Sequence, residues 1–150
     1  MNAELISVLL VDDDPGDVLL VREAFSDHKV GNALNVARDG VEALEMIRGV
    51  GVHAGAERPD LILLDLNLPR KNGIEVLEEI KSDPQLALIP VIVLTTSEAD
   101  EDILRAYQLH ANAYITKPVD FERFAAVVHK IDEFFIGLVK LPPAGAQGAA

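Results

Sequence analysis

At 150 residues, 49% of them hydrophobic, the chain can bury one sizeable core and is too short for two ordinary domains. A formal net charge of -12 repels nucleic-acid phosphates and anionic lipid heads, and no basic patch offsets it, which argues against direct DNA binding and membrane attachment. The absence of cysteine removes disulfides, thiolate metal sites and thiol nucleophiles. With no secretory pattern in Met1 to Ser7 and no apolar run near the roughly 20 residues of a membrane span, the expected location is cytoplasmic.

In chain order, Leu5 to Val11 is a β-branched apolar run that predicts a first strand, and Val18, Val21 and Phe25 form a helical stripe after it. A weaker strand follows at Ala33 to Ala37, then a helix carrying Val41, Leu44 and Ile47. Gly49 to Arg58 reads as a Gly-rich loop. Its glycines follow a helix and lack a Gly-Lys-Ser/Thr ending, which argues against a nucleotide-binding loop. Leu61 to Leu64 predicts a third strand and Ile74, Leu77 and Ile80 a third helix. Val91 to Leu94 predicts a fourth strand, with Ile103, Leu104 and Tyr107 on the helix behind it. Ala113 to Ile115 predicts a fifth, and the stripe Phe121, Phe124, Val128, Ile131, Phe135 and Leu138 a long last helix of roughly 26 Å.

Five-fold alternation of strand and helix predicts an α/β fold, a doubly wound parallel sheet. The wholly apolar central runs and the weaker second and fifth strands favour the flavodoxin-like (βα)5 order 2-1-3-4-5. The domain is expected to span 1–141, with 142–150 a flexible tail after Pro142 and Pro143, and no output domain is expected beyond it.

Ligand sites of such sheets lie beyond the carboxyl ends of the strands. There the chain places Asp12, Asp13 and Asp14 after the first strand, Asp65 after the third, Thr95 and Thr96 after the fourth, and Lys117 and Pro118 after the fifth. Asp14 before Pro15 reads as a helix N-cap. Asp12, Asp13 and Asp65 together need cationic compensation, because two like charges 4 Å apart repel by about 4 kcal/mol at an effective dielectric near 20. Lys117 and a hard divalent cation, Mg2+ or Mn2+, would supply it. Histidine is missing from these strand ends, which argues against zinc or copper. The set suits phosphoryl transfer, with Asp65 as nucleophile and the cation, Lys117 and the Thr95 hydroxyl each serving one phosphoryl oxygen. Taken singly, each residue also has a plain structural reading as a cap, turn or surface group.

The segments VLLVDDDP (Val8 to Pro15), LILLDLNLPRKNG (Leu61 to Gly73), VIVLTTS (Val91 to Ser97) and YITKP (Tyr114 to Pro118) resemble the receiver domain of bacterial response regulators over about residues 5 to 135. The resemblance implies a single-domain response regulator of a two-component system that accepts a phosphoryl group on Asp65 from a sensor histidine kinase. It implies Asp12, Asp13, Asp65 and the Asn67 backbone carbonyl as metal ligands and Lys117 as the phosphate-binding lysine. Thr95 and Tyr114 become the switch pair, and the Lys117 to Pro118 peptide is expected to be cis. Such a chain catalyses its own phosphorylation and dephosphorylation without being an enzyme in the ordinary sense. Thr96 stands where the family often has a small residue, so Thr96→Ala is expected to change the dephosphorylation rate.

The Gly49 to Arg58 loop, Pro15 to Leu20 and the long last helix are also similar to small receivers paired with phytochrome-type histidine kinases. Output is expected through contacts with an unknown downstream protein, and the last helix predicts a homodimer. Two other classes compete. A phosphatase of the haloacid dehalogenase type commonly has a second aspartate two positions after the nucleophile, where this chain has Asn67. A phosphorylation-independent module normally lacks part of the acidic pair, acceptor or lysine, all of which are present.

Overall fold

The computed structural model describes residues 6–26, 32–137 and Pro142. Five strands alternate with five α-helices: β1 (Ile6–Val11), α1 (Pro15–Ser26), β2 (Asn32–Ala37), α2 (Gly40–Arg48), β3 (Leu61–Leu64), α3 (Gly73–Ser82), β4 (Val91–Thr95), α4 (Asp100–Gln108), β5 (Ala113–Thr116) and α5 (Phe121–Gly137). All pairings are parallel and the order is β2-β1-β3-β4-β5, as the apolar patterning predicts. The expectations for Leu138 and for the tail beyond Pro142 lie outside the described residues.

Alternation along the central strands divides the core into two layers. Leu9, Val11, Ile62, Leu64, Val91 and Val93 face α2, α3 and α4, while Val8, Leu10, Leu61, Leu63, Ile92 and Leu94 face α1 and α5. β3 is buried along its whole length, which explains why its sequence is unbroken Leu and Ile. The Gly-rich segment after α2 holds a short 3-10 turn, Gly51–His53, and its three glycines take positive φ, a conformation costly for residues with a Cβ.

α4 departs from the predicted stripe. Leu104 and Tyr107 are 60% and 49% exposed, and Ala106 is the buried residue of this helix. The small Ala106 side chain faces the core, so the helix is rotated away from its bulkier apolar residues. On the neighbouring helix, Lys81 Nζ donates to the carbonyls of Ala87 at 3.0 Å and Ile89 at 2.8 Å, tying down the irregular segment before β4. Burial lowers the pKa of Lys81 to about 8.

Candidate functional site

Strand register brings the polar residues together. Val11 pairs with Leu64 and Thr95 with Thr116, so Asp12 and Asp65 leave adjacent strands at the same level and Lys117 follows one step past β5. Backbone bonds continue each pairing past the strand end: the Asp65 N–H donates to the Val11 carbonyl at 3.0 Å and the Lys117 N–H to the Thr95 carbonyl at 2.7 Å. The loop after Asp65 is pressed against the start of α3. A Cβ on Gly73 would lie 2.3 Å from the Asp65 carbonyl oxygen, so only glycine permits this approach.

Lys117 Nζ is the hub. It donates to Asp12 Oδ2 at 2.7 Å, Asp17 Oδ2 at 2.7 Å and Asp65 Oδ2 at 2.9 Å, and its side chain is 4% exposed. Asp12 Oδ1 accepts from the Asp14 N–H at 2.9 Å, and Asp65 Oδ1 from the Asn67 N–H at 3.1 Å. Burial raises the Asp12 pKa from its ordinary 3.8 to about 6, against the opposing pull of Lys117. Burial alone would lower the Lys117 pKa. Its three carboxylate partners outweigh that effect and hold the ammonium above its ordinary range.

Asp12, Asp13 and Asp65 each offer a carboxylate oxygen, and these oxygens all lie within 4.8 Å of one another. Oxygens on opposite sides of a six-coordinate Mg2+ are about 4.2 Å apart, so the cluster needs little rearrangement to take such an ion. Asp12 and Asp65 are buried and Asp13 is exposed, which leaves the cluster open toward solvent. Asn67 sits beside it through its N–H contact with Asp65.

Thr95 is fully buried, and its Oγ1 accepts from the Ser97 N–H at 3.4 Å. Thr96, next in sequence, is exposed. The Tyr114 hydroxyl donates to the Ser97 carbonyl at 3.0 Å, and Ser97 Oγ donates to Asp102 Oδ2 at 2.6 Å in the first turn of α4. Ser97 thus links Thr95, Tyr114 and α4. Asp14 acts as the expected cap of α1, accepting from the Gly16 N–H at 2.8 Å.

The expected cis bond between Lys117 and Pro118 is corrected: no peptide among the described residues is cis. Trans is the lower state of an X–Pro bond by about 0.5–1 kcal/mol. With the bond trans, Lys117 still makes both its backbone bond to Thr95 and its three carboxylate contacts. Sequence reasoning missed Asp17. Its one available signal was position, one helical turn past the Asp12 to Asp14 run in the first turn of α1. A cavity of about 220 Å3 lies elsewhere, between Ser7, Asn35, Met46, His53 and Pro59. Its lining includes none of Asp12, Asp13, Asp17 and Asp65.

The family profile described as "Response regulator receiver domain" matches residues 8–129. The response regulator Rcp1 of Synechocystis sp. is 42% identical over 137 residues, covering 91% of this chain and 93% of Rcp1. The crystal structure of the phosphorylated cyanobacterial phytochrome response regulator RcpA superposes with a TM-score of 0.91 at 46% identity, over 93% of this chain and 100% of that one. The Mn(2+)-bound form of Rcp1 gives 0.90 at 41% identity, over 92% and 99%. Three carboxylates around one buried lysine, with Asp13 beside two of them, on a sheet of this order, are the setting in which these similarities fall, and the chain belongs to the response regulator receiver domain family.

Proposed function

We propose that this chain is a single-domain response regulator that accepts a phosphoryl group on Asp65 from a sensor histidine kinase. The observation that carries the reading is the Lys117 ammonium bonded to both Asp12 and Asp65, with Asp13 completing a set of oxygens that fits a divalent cation. Mg2+, or Mn2+ as bound by Rcp1, would be held by Asp12, Asp13, Asp65 and the Asn67 carbonyl. When bound, it would neutralise phosphoryl charge.

The protein's own groups do the rest. An Asp65 oxygen attacks phosphorus in line, forming the P–O bond as the P–N bond to the donor imidazole breaks and the nitrogen keeps the electron pair. Lys117 meets one phosphoryl oxygen and the Thr95 hydroxyl another. Moving Thr95 inward perturbs Ser97, and through it the Tyr114 hydroxyl and the start of α4. The same site then hydrolyses the acyl phosphate.

The similarity to Rcp1 and RcpA supports a phytochrome-type kinase as donor. Output passes by contact to a downstream protein. The half-exposed Phe134, packed edge-on against Phe135 with ring centroids 5.0 Å apart, supports a homodimer through α5. A monomeric mass by sedimentation across a wide concentration range, with and without phosphorylation, removes the dimer. The acidic charge disfavours DNA binding, and a cytoplasmic site agrees with the absence, among the described residues, of a helix long and apolar enough to cross a membrane. The active unit is assigned to 1–141, and both ends of that range lie outside the described residues.

The deciding experiment is incubation with Mg2+ and acetyl phosphate followed by intact mass measurement. One phosphoryl group is expected on the wild type and none on Asp65→Asn. A wild type that stays unmodified with this donor and with a histidine kinase overturns the proposal.

A further inference from the structure

Lys117 Nζ has three N–H donors, and in the resting protein each points at a different carboxylate. A phosphoryl oxygen arriving at Asp65 can be met only if one of these bonds is given up. Two of the three carboxylates are poor candidates to lose their donor. Asp12 and Asp65 side chains are 2% and 9% exposed, so in the cation-free protein stripping either of them of its counter-charge is costly. Asp17 differs. Its side chain is 22% exposed, so water can replace the ammonium, and it stands outside the set of carboxylates that fits a cation.

Its contact with Lys117 also goes beyond what α1 requires. An acidic residue in a first helical turn is stabilised by the helix dipole with its carboxylate in solvent. Here the carboxylate instead reaches Nζ at 2.7 Å, as close as Asp12 does and closer than Asp65. We propose that Asp17 is a positioning residue that holds one donor of Lys117 in the resting state and competes for it with the incoming phosphoryl group. The inference rests on the phosphoacceptor reading of Asp65. Asp17 thereby sets how readily the site fills: its charge opposes the phosphoryl group directly and occupies the lysine that would receive it.

The test compares wild type with Asp17→Asn, Asp17→Ser and Asp17→Glu. Two quantities are read: the half-saturation constant for acetyl phosphate beside the limiting rate, and the affinity for beryllofluoride with Mg2+ by calorimetry. Loss of a charge-assisted bond that competes with the ligand is expected to tighten beryllofluoride binding roughly three- to tenfold in Asp17→Asn and Asp17→Ser. The donor half-saturation constant should fall by a similar factor, more than the limiting rate moves. Asp17→Glu, which keeps the charge, should move both values back toward wild type. Two substitutions guard against a single misfolded variant, and melting curves check each. Unchanged or weaker binding in Asp17→Asn and Asp17→Ser overturns the inference, as does a Glu variant that shifts as far as they do. If the wild type is phosphorylated while these variants behave like it, only the role of Asp17 fails. If the wild type takes neither acetyl phosphate nor beryllofluoride, the phosphoacceptor reading fails with it.

Discussion

The Tyr114 hydroxyl donates to the Ser97 carbonyl at 3.0 Å, joining β5 to the loop that leads into α4. Partial burial, together with the nearby Asp102 and Asp65 charges, raises the Tyr114 pKa. Tyr114→Phe is expected to lower unfolding free energy by about 1 kcal/mol in urea titrations. In a spectrophotometric titration, a phenol ionising above the ordinary tyrosine range should disappear with the substitution.

Among the described residues, Lys117 is the one ammonium paired with Asp12, Asp17 and Asp65. Removing it leaves buried carboxylates facing each other, a change that costs about 3–5 kcal/mol for a broken buried pair. Lys117→Met is therefore expected to lower stability by that order in chelator-treated protein. Millimolar Mg2+ should return part of the loss by balancing the same charges. Thermal melts with and without Mg2+ check both halves, and a variant as stable as wild type without metal contradicts the electrostatic role.

The raised pKa of Asp12 carries a pH signature. Between its ordinary 3.8 and the folded value of about 6, the folded protein binds a proton there more readily than the unfolded chain. The Asp12 contribution to stability is thus fully present below pH 4 and is lost as pH rises through 6. Comparing Asp12→Asn with wild type, both metal-free, isolates this contribution from other carboxylates. The variant is expected to gain on wild type by about 2 kcal/mol as pH rises from 4 to 7. A flat difference across that range counts against the shift.

Gly73 packs against the backbone that carries Asp65, where a Cβ would lie 2.6 Å from Leu66 Cα. Gly73→Ala must displace that backbone, and overpacking of this kind costs about 1–3 kcal/mol. The displacement moves Asp65 relative to Lys117. Phosphorylation by acetyl phosphate is expected to slow more than tenfold, following the sensitivity of such reactions to misplacement by about 1 Å. A variant destabilised but phosphorylated at the wild-type rate would separate Gly73 from the geometry of the site.

Much of this protein was legible in the order of its residues. Unbroken apolar runs at Leu61 to Leu64 and Val91 to Leu94 specified strands covered on both faces, because only buried strands tolerate such runs. The acidic, hydroxyl and amine residues after strands one, three, four and five then located Asp12, Asp13, Asp65, Thr95 and Lys117 at one edge. What order could not supply was distance in three dimensions. Asp17 was not singled out from the sequence, and only the sheet brings Lys117, a hundred residues later, to 2.7 Å from it. The rotation of α4 about Ala106 was decided by packing against the sheet, where a small side chain allowed closer approach than the Leu104 and Tyr107 stripe. Local patterning determines which surfaces must be buried. Only the tertiary structure decides which charges meet and which of them share one lysine.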